Sequence, residues 1–498
     1  MMKIGIIGLL MVLFFSCQPE RNGETALPKV HFSHGKNWTG EPAGAVYHEG
    51  TYHLFYQHNP NQPMYGNIHW RHAVSQDLIH WAIQPVALSP DEKGQPGSGS
   101  VIADIQNTAG LGANAFLAFY TYLGKKGTES AVYMAYSLDR GETWTKREQS
   151  LLIPDRSTTF KNPVVLWDNE YRQWIMTIST GFAIWFYTST DGLTWTVQCA
   201  FEEAHGSGGW ESALFFPLTV AEEGITKWVL LVSMNDGPIN GAPNIRYFVG
   251  DFDGKAFACT QYKELWVDYG KDFYRATLFN RPDNRKVMTA WMNSWDYANL
   301  TPEKGQRGRL SIPRELALVK EDQNYLLTSV PVREIATVFS EKKTLENIDL
   351  SSGSYALKGA SYFQQPFILH LAFDHTNRYA FWNAKNYGVR FQTISGKRLT
   401  IGYKADMGYY YIDRRGLLAD PFSDTYEQLL GIAYFPKGDT NEWKIVYDRE
   451  SVELYTADGK GMLTALWFSD EPFVAFELFA EEGRMTLQKA SINSFEIK

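Results

Sequence analysis

Between residues 27 and 314 apolar and polar positions alternate with a period of two, and almost no stretch carries the 3.6-residue period of a helix. Alternation of this kind gives a strand one face for a core and another for water. It predicts strands over residues 45–57, 115–122, 131–137, 174–180, 184–190, 228–234 and 287–295. Turns are signalled between them by Glu49-Gly50, Asp139-Arg140-Gly141, Asp191-Gly192 and Asp253-Gly254. Gly tolerates positive φ, and Asp accepts hydrogen bonds from its own turn.

A repeat runs through these strands. Ala73-Val-Ser-Gln-Asp-Leu-Ile-His-Trp81 reads like Ala135-Tyr-Ser-Leu-Asp-Arg-Gly-Glu-Thr-Trp144 and recurs as Tyr187-Thr-Ser-Thr-Asp-Gly-Leu-Thr-Trp195. A weaker copy is Val249-Gly-Asp-Phe-Asp-Gly-Lys-Ala-Phe257. The closing aromatics are 63, 51 and 62 residues apart, which suits one four-stranded unit per copy. Strand-only repeats of this length predict a β-propeller. Four copies, plus one unit without a visible copy, predict five blades over residues 27–335.

After Pro313-Arg314-Glu315-Leu316 the pattern shortens. Residues 340–498 carry amphipathic strands at 362–373, 387–393, 443–447, 452–455 and 473–480, with turns expected at 353–358 and 439–441. This predicts a separate β-sandwich and an all-β chain. Charged residues are scattered across it as on a solvated surface, so no chemistry is expected there.

At 498 residues, two domains are also what length alone suggests. Aromatics make up 15% of the chain, with 16 Trp and 28 Tyr. Most must fill β cores, while any exposed in a groove offer flat faces to sugar rings. A net charge of −8 without a long Lys/Arg cluster argues against a nucleic-acid partner.

The first residues read as a leader. Lys3 precedes an apolar run over residues 4–15 and then Ser16-Cys17, the layout of a secretory signal too short to span a bilayer. A Cys after a small residue resembles the bacterial lipoprotein box. Residues 1–17 are therefore expected to be a signal ending at lipidated Cys17, with 18–26 a linker, exporting the protein and anchoring it on a membrane. Cys199 and Cys259 give neither a disulfide framework nor a zinc pattern. Eight of the eleven His lie between His31 and His80 without a compact ligand signature. No metal and no cofactor is implied.

A propeller gathers loops at one end of its channel, so candidate site residues should lie far apart in sequence. Glu41 lies in Asn37-Trp-Thr-Gly-Glu-Pro-Ala-Gly44, Asn162 in Phe160-Lys-Asn-Pro163, and Glu211 in Gly208-Gly-Trp-Glu-Ser-Ala213. Each stands at a strand's entrance beside Gly or Pro.

Ordered motifs then tie the chain to a family. They include His31-Phe32, Asn37-Trp38, Tyr52-His-Leu-Phe-Tyr-Gln57, Gly66-Asn-Ile-His-Trp70 and Gly97-Ser-Gly-Ser100. Further on come Gly250-Asp-Phe-Asp-Gly254, Asp268-Tyr-Gly-Lys-Asp-Phe-Tyr274, Trp291-Met-Asn-Ser-Trp295, Pro313-Arg-Glu-Leu316 and Val446-Tyr-Asp-Arg-Glu-Ser-Val-Glu-Leu454. From Lys29 to the C-terminus the chain resembles glycoside hydrolase family 32, the levanases, inulinases and invertases. The resemblance implies hydrolysis of a β-fructosidic, fructan-type linkage in an oligo- or polysaccharide. It implies a sugar-facing set of Trp38, Gln57, Asn67, Trp70, Ser98, Ser100, Lys161, Asp268, Asp272 and Trp291. The Ser-x-Asp turns resemble the Asp boxes of sialidases, which are structural and lie away from catalysis.

The catalytic motifs depart from the family's pattern. Its Trp-Met-Asn-Asp-Pro-Asn-Gly, whose Asp is the nucleophile, reads Trp38-Thr-Gly-Glu-Pro-Ala-Gly44 here. Its Arg-Asp-Pro, whose Asp stabilises the transition state, reads Lys161-Asn-Pro163, and its Glu-Cys-Pro acid/base motif reads Glu211-Ser-Ala213. Retaining glycosidases need two carboxyls about 5–5.5 Å apart. The extra methylene of Glu41 shifts its oxygens by about an ångström, which can cost about 100-fold in rate. Asn162 still binds hydroxyls but carries no charge for an oxocarbenium-like state. Two readings follow: a re-tooled hydrolase, in which the small Gly40 and Ala43 leave room for Glu41, or a non-catalytic fructan-binding lipoprotein.

Overall fold

The computed structural model describes residues 27–123, 131–154, 159–202, 209–235, 237, 241, 243–260, 264–303, 305–351, 353–376 and 380–496. The expected signal, linker and lipidated Cys17 lie outside the described residues.

Up to Pro331 the described chain forms antiparallel sets of four strands. Each set opens with an inner strand: Asn37–His48, Gln95–Asp104, Lys161–Asp168, Trp210–Val220 and Tyr274–Asn280. These inner strands touch one another in sequence order, and the last returns to the first, so they close a ring. Lys286–Met292, Arg314–Glu321 and Asn324–Pro331 complete the last set. Parallel pairs Asn37↔Gln306 and Trp38↔Arg307 fasten the first set to the segment between Met292 and Arg314 of the last set.

The repeat has a local cause. In each of the first three copies the Ser hydroxyl donates to the Asp two residues on, at 2.7–3.1 Å for Ser75–Asp77, Ser137–Asp139 and Ser189–Asp191. The Asp then accepts backbone N–H groups of the turn, such as Ile79, Thr143 and Leu193. The closing Trp donates back to the turn at Leu78, Gly141 and Gly192. Backbone donors freed by the bend are thereby used within the turn. These turns join the third and fourth strands of each set, far from the inner strands.

The 3₁₀ turn Arg333–Val338 leads into a sandwich of two six-stranded sheets. Phe367, Tyr447, Phe391 and Phe476 fill its core, with Phe367 stacked on Tyr447 at 4.4 Å. Two expected turns are corrected. Ser354–Lys358 is a strand paired with Phe473–Glu481, because Tyr355 and Leu357 alternate onto the core. Thr440 and Asn441 open the strand Thr440–Asp448.

The sandwich also holds buried charges that were expected to be solvated. Asp268 and Glu453 clamp Arg314 at 2.8 and 2.6 Å, and all three are fully buried. Glu453 and Asp448 hold the two ring nitrogens of His31 at 3.0 Å each. Arg414 donates to Asp272 at 2.7 Å. The network ties propeller to sandwich.

Candidate active site

Each inner strand carries a β-bulge near its start. The register skips at Gly40-Glu41 opposite Gln57, at Gly97-Ser98 opposite Thr121, at Asn162-Pro163, at Glu211 and at Arg275. A bulge inserts an unpaired residue and re-aims its side chain. All these bulges open on one pocket of about 570 Å³, lined by Glu41, Gln57, Ser98, Lys161, Asn162 and Glu211. Tyr65, Asn235, Tyr274, Arg275 and Trp295 line it as well. A larger cavity of about 860 Å³ lies at the opposite ends of the same strands, around Asp104, Asp168 and Asn280. Glu41 and Glu211 both face the smaller pocket, which makes it the candidate active site.

Glu41 is nearly buried, at 8% exposure. Ser98 donates to its Oε2 and Trp295 Nε1 to its Oε1, each at 2.9 Å. Gln57 in turn donates to Ser98 at 2.6 Å, fixing the hydroxyl. Burial pushes the Glu41 carboxyl above the usual Glu range; Arg275, Ser98 and Trp295 oppose the shift, and the charge of Glu211 adds to it. Across the pocket Glu211 accepts from Lys161 at 2.7 Å and from Asn235 at 2.9 Å. Tyr274 orients Asn235 at 2.6 Å. Asn162 sits at a φ of 50° and donates through Nδ2 to the Glu211 carbonyl at 2.7 Å. Its side-chain oxygen is left to accept from a hydroxyl.

Seven residues of the expected sugar-facing set lie elsewhere. Trp38, Trp70 and Trp291 are fully buried and brace the bulges from behind. Trp291 donates to the Thr39 carbonyl at 3.0 Å, Trp70 to that of Gly97 at 2.8 Å, and Trp38 packs on Trp291 and Trp295. Ser100 bonds the Pro163 carbonyl and the Val165 N–H, sewing two inner strands together. Asp268 and Asp272 are consumed by Arg314 and Arg414, and Asn67 is exposed outside the pocket. The vacancy at Gly40 is also not spare room for Glu41: a Cβ there would meet Trp38 Nε1 at 2.7 Å and Gln57 Cβ at 3.0 Å. Trp38 and Gln57 fill it.

Of the missed residues, Asn235 lies 24 positions from Glu211, and three others sit near expected ones. Trp295 lies four residues after Trp291, Tyr274 closes the motif that began at Asp268, and Arg275 follows it directly. The bulge at Arg275 turns this residue to the pocket, and the strand pattern does not reveal it.

Two carboxylates face one pocket, Glu41 held by Ser98 and Trp295 with Arg275 3.9 Å away and Glu211 beside Lys161, an arrangement that can support acid–base and nucleophilic chemistry on a glycoside. Residues 31–330 match the profile of the glycosyl hydrolases family 32 N-terminal domain, and residues 337–498 match that of the family 32 C-terminal domain. The chain belongs to glycosyl hydrolase family 32. It is 33% identical to a levanase of Bacillus subtilis (strain 168), over 97% of this chain and 73% of that protein. It is 30% identical to a levanbiose-producing levanase of the same strain, over 94% and 90%. Among solved structures, the exo-inulinase from Aspergillus awamori superposes with a TM-score of 0.86 at 28% identity, covering 94% of this chain and 98% of that one.

Proposed function

We propose that this protein hydrolyses a furanosidic, fructan-type linkage by paired-carboxylate catalysis. Glu211 is the general acid/base, Glu41 the nucleophile, and Asn162 a hydroxyl-binding residue. Gln57, Ser98 and Lys161 complete the sugar-binding wall from the expected set. The observation that carries this reading is the convergence of Glu41 and Glu211, from the first and fourth strand sets, on one pocket. The levanase and exo-inulinase relatives point to β-fructosides as substrates. Counting the sets of four strands as five blades belongs to the same reading.

The test is product analysis on levan, inulin, sucrose and a panel of other furanosides. Release of a free sugar or oligosaccharide from any of them supports the proposal. Saturable binding without turnover replaces it with a fructan-binding module. We further infer export and anchoring through Cys17, supported by Lys3, the apolar run and Ser16-Cys17. One relative from Aspergillus niger is an extracellular exo-inulinase. Wild type expressed in a bacterium should sediment with membranes and Cys17→Ser should not; equal partitioning removes the anchor.

A further inference from the structure

Arg275 differs from every other fully buried arginine of the described chain. Arg309, Arg314 and Arg414 each donate to a carboxylate within 2.8 Å. Arg275 is 2% exposed and lines the pocket, yet its Nε and Nη1 have no hydrogen-bond partner. Its Nη2 makes one long contact, 3.4 Å to the Gly99 carbonyl. The nearest carboxylate oxygen, Glu41 Oε2, is 3.9 Å from Nε, and Ser98 already holds that oxygen. The residue occupies the left-handed region at φ 50°, a strained place for a long side chain. A buried guanidinium with unused donors is costly unless a ligand completes it.

The place of the positive charge points the same way: Lys161 already donates to Glu211, whereas Arg275 gives no hydrogen bond to a carboxylate. The pocket's charged side chains are Glu41 and Glu211 against Lys161 and Arg275. Glycoside cleavage develops positive charge on the sugar ring. A buried cation beside the nucleophile opposes that charge on a neutral sugar, whereas a substrate with its own negative group neutralises the cation on binding. Oxyanions are also what a guanidinium recognises best.

We propose that the pocket takes a furanoside bearing an oxyanion substituent, a carboxylate, sulfate or phosphate, and that Arg275 recognises this group. The inference rests on the reading of the pocket as a fructoside site. The test is calorimetric titration of the whole protein with fructose, 2-keto-gluconate, fructose 6-sulfate, fructose 6-phosphate and fructose 1-phosphate. At least one anionic sugar should bind about 10-fold or more tighter than fructose. That preference should shrink as salt is raised and vanish in Arg275→Met. The arm that shows it separates carboxylate from sulfate and phosphate. Should Arg275→Met not fold, the wild-type comparison and its salt dependence decide alone. Fructose binding as tightly as every anionic sugar overturns this inference and leaves the fructosidase reading standing. Binding of none of the sugars overturns both.

Discussion

Replacing Asp268 by Asn should cost stability and leave catalysis alone. The Asp268 carboxylate is fully buried and accepts four bonds: Arg314 Nη1 at 2.8 Å, Thr464 Oγ1 at 2.6 Å, the Thr464 N–H at 2.9 Å and the Gly270 N–H at 2.7 Å. Asn can serve the two backbone donors with its oxygen, but its NH₂ then faces the Arg314 guanidinium, donor against donor, and the Thr464 hydroxyl must turn to accept. Breaking a buried pair by removing one partner costs about 3–5 kcal/mol. Arg314 retains Glu453 at 2.6 Å, which places the loss near the lower end, about 3 kcal/mol. For domains of this size about 1 kcal/mol moves the midpoint by about 2–4 °C, so Tm should fall by about 6–12 °C in scanning calorimetry. Assayed well below that midpoint, kcat/KM should match wild type. An unchanged Tm with a raised KM would refute the reasoning and return Asp268 to the substrate.

Glu211→Gln should lower turnover on a natural substrate by about 10²–10⁴-fold, and less on an aryl glycoside whose leaving group needs little protonation. Because burial raises the Glu41 carboxyl and a nucleophile must be ionised, the acid limb of kcat/KM should lie above the ordinary Glu range. Ser98→Ala removes a bond to the ionised form and should move that limb further up in a pH–rate profile. Burial holds His53 at about 4 and His58 and His72 at about 3. The unfolded chain takes up those protons near the ordinary His value and the folded chain does not. Stability should therefore fall with pH below about 6.5, by about 1.4 kcal/mol per unit for each His until its folded value is reached; denaturant melts between neutral and acid pH read this directly.

Local patterns announced the propeller because its repeat is local: a Ser, an Asp and a Trp satisfy one turn among themselves. Glu41, Asn162 and Glu211 were named because the family's catalytic motifs carry over onto their positions, and the structure brings the three to one pocket. Gln57, Ser98 and Lys161 were named as well, but Tyr65, Asn235, Tyr274, Arg275 and Trp295 were not, because bulges re-aim single residues without altering the hydrophobic pattern. Trp291 and Trp295 look equivalent in the sequence, yet one braces Thr39 and the other reaches Glu41. Asp268 looked available for sugar because its partner Arg314 is 46 residues away, and Glu453 lies 139 beyond Arg314. Gly40 invited a reading of empty space that only the packing of Trp38 and Gln57 corrects.

The central claim is that Glu41 attacks while Glu211 serves as acid and then base. It is tested most directly by quenching Glu211→Gln during reaction with an activated aryl fructofuranoside and analysing the protein by mass spectrometry. Without its base the second half-reaction slows, so a glycosyl adduct should accumulate and map to the peptide containing Glu41. Release of the aryl group with no adduct on the protein, or with the adduct on another residue, would contradict the account.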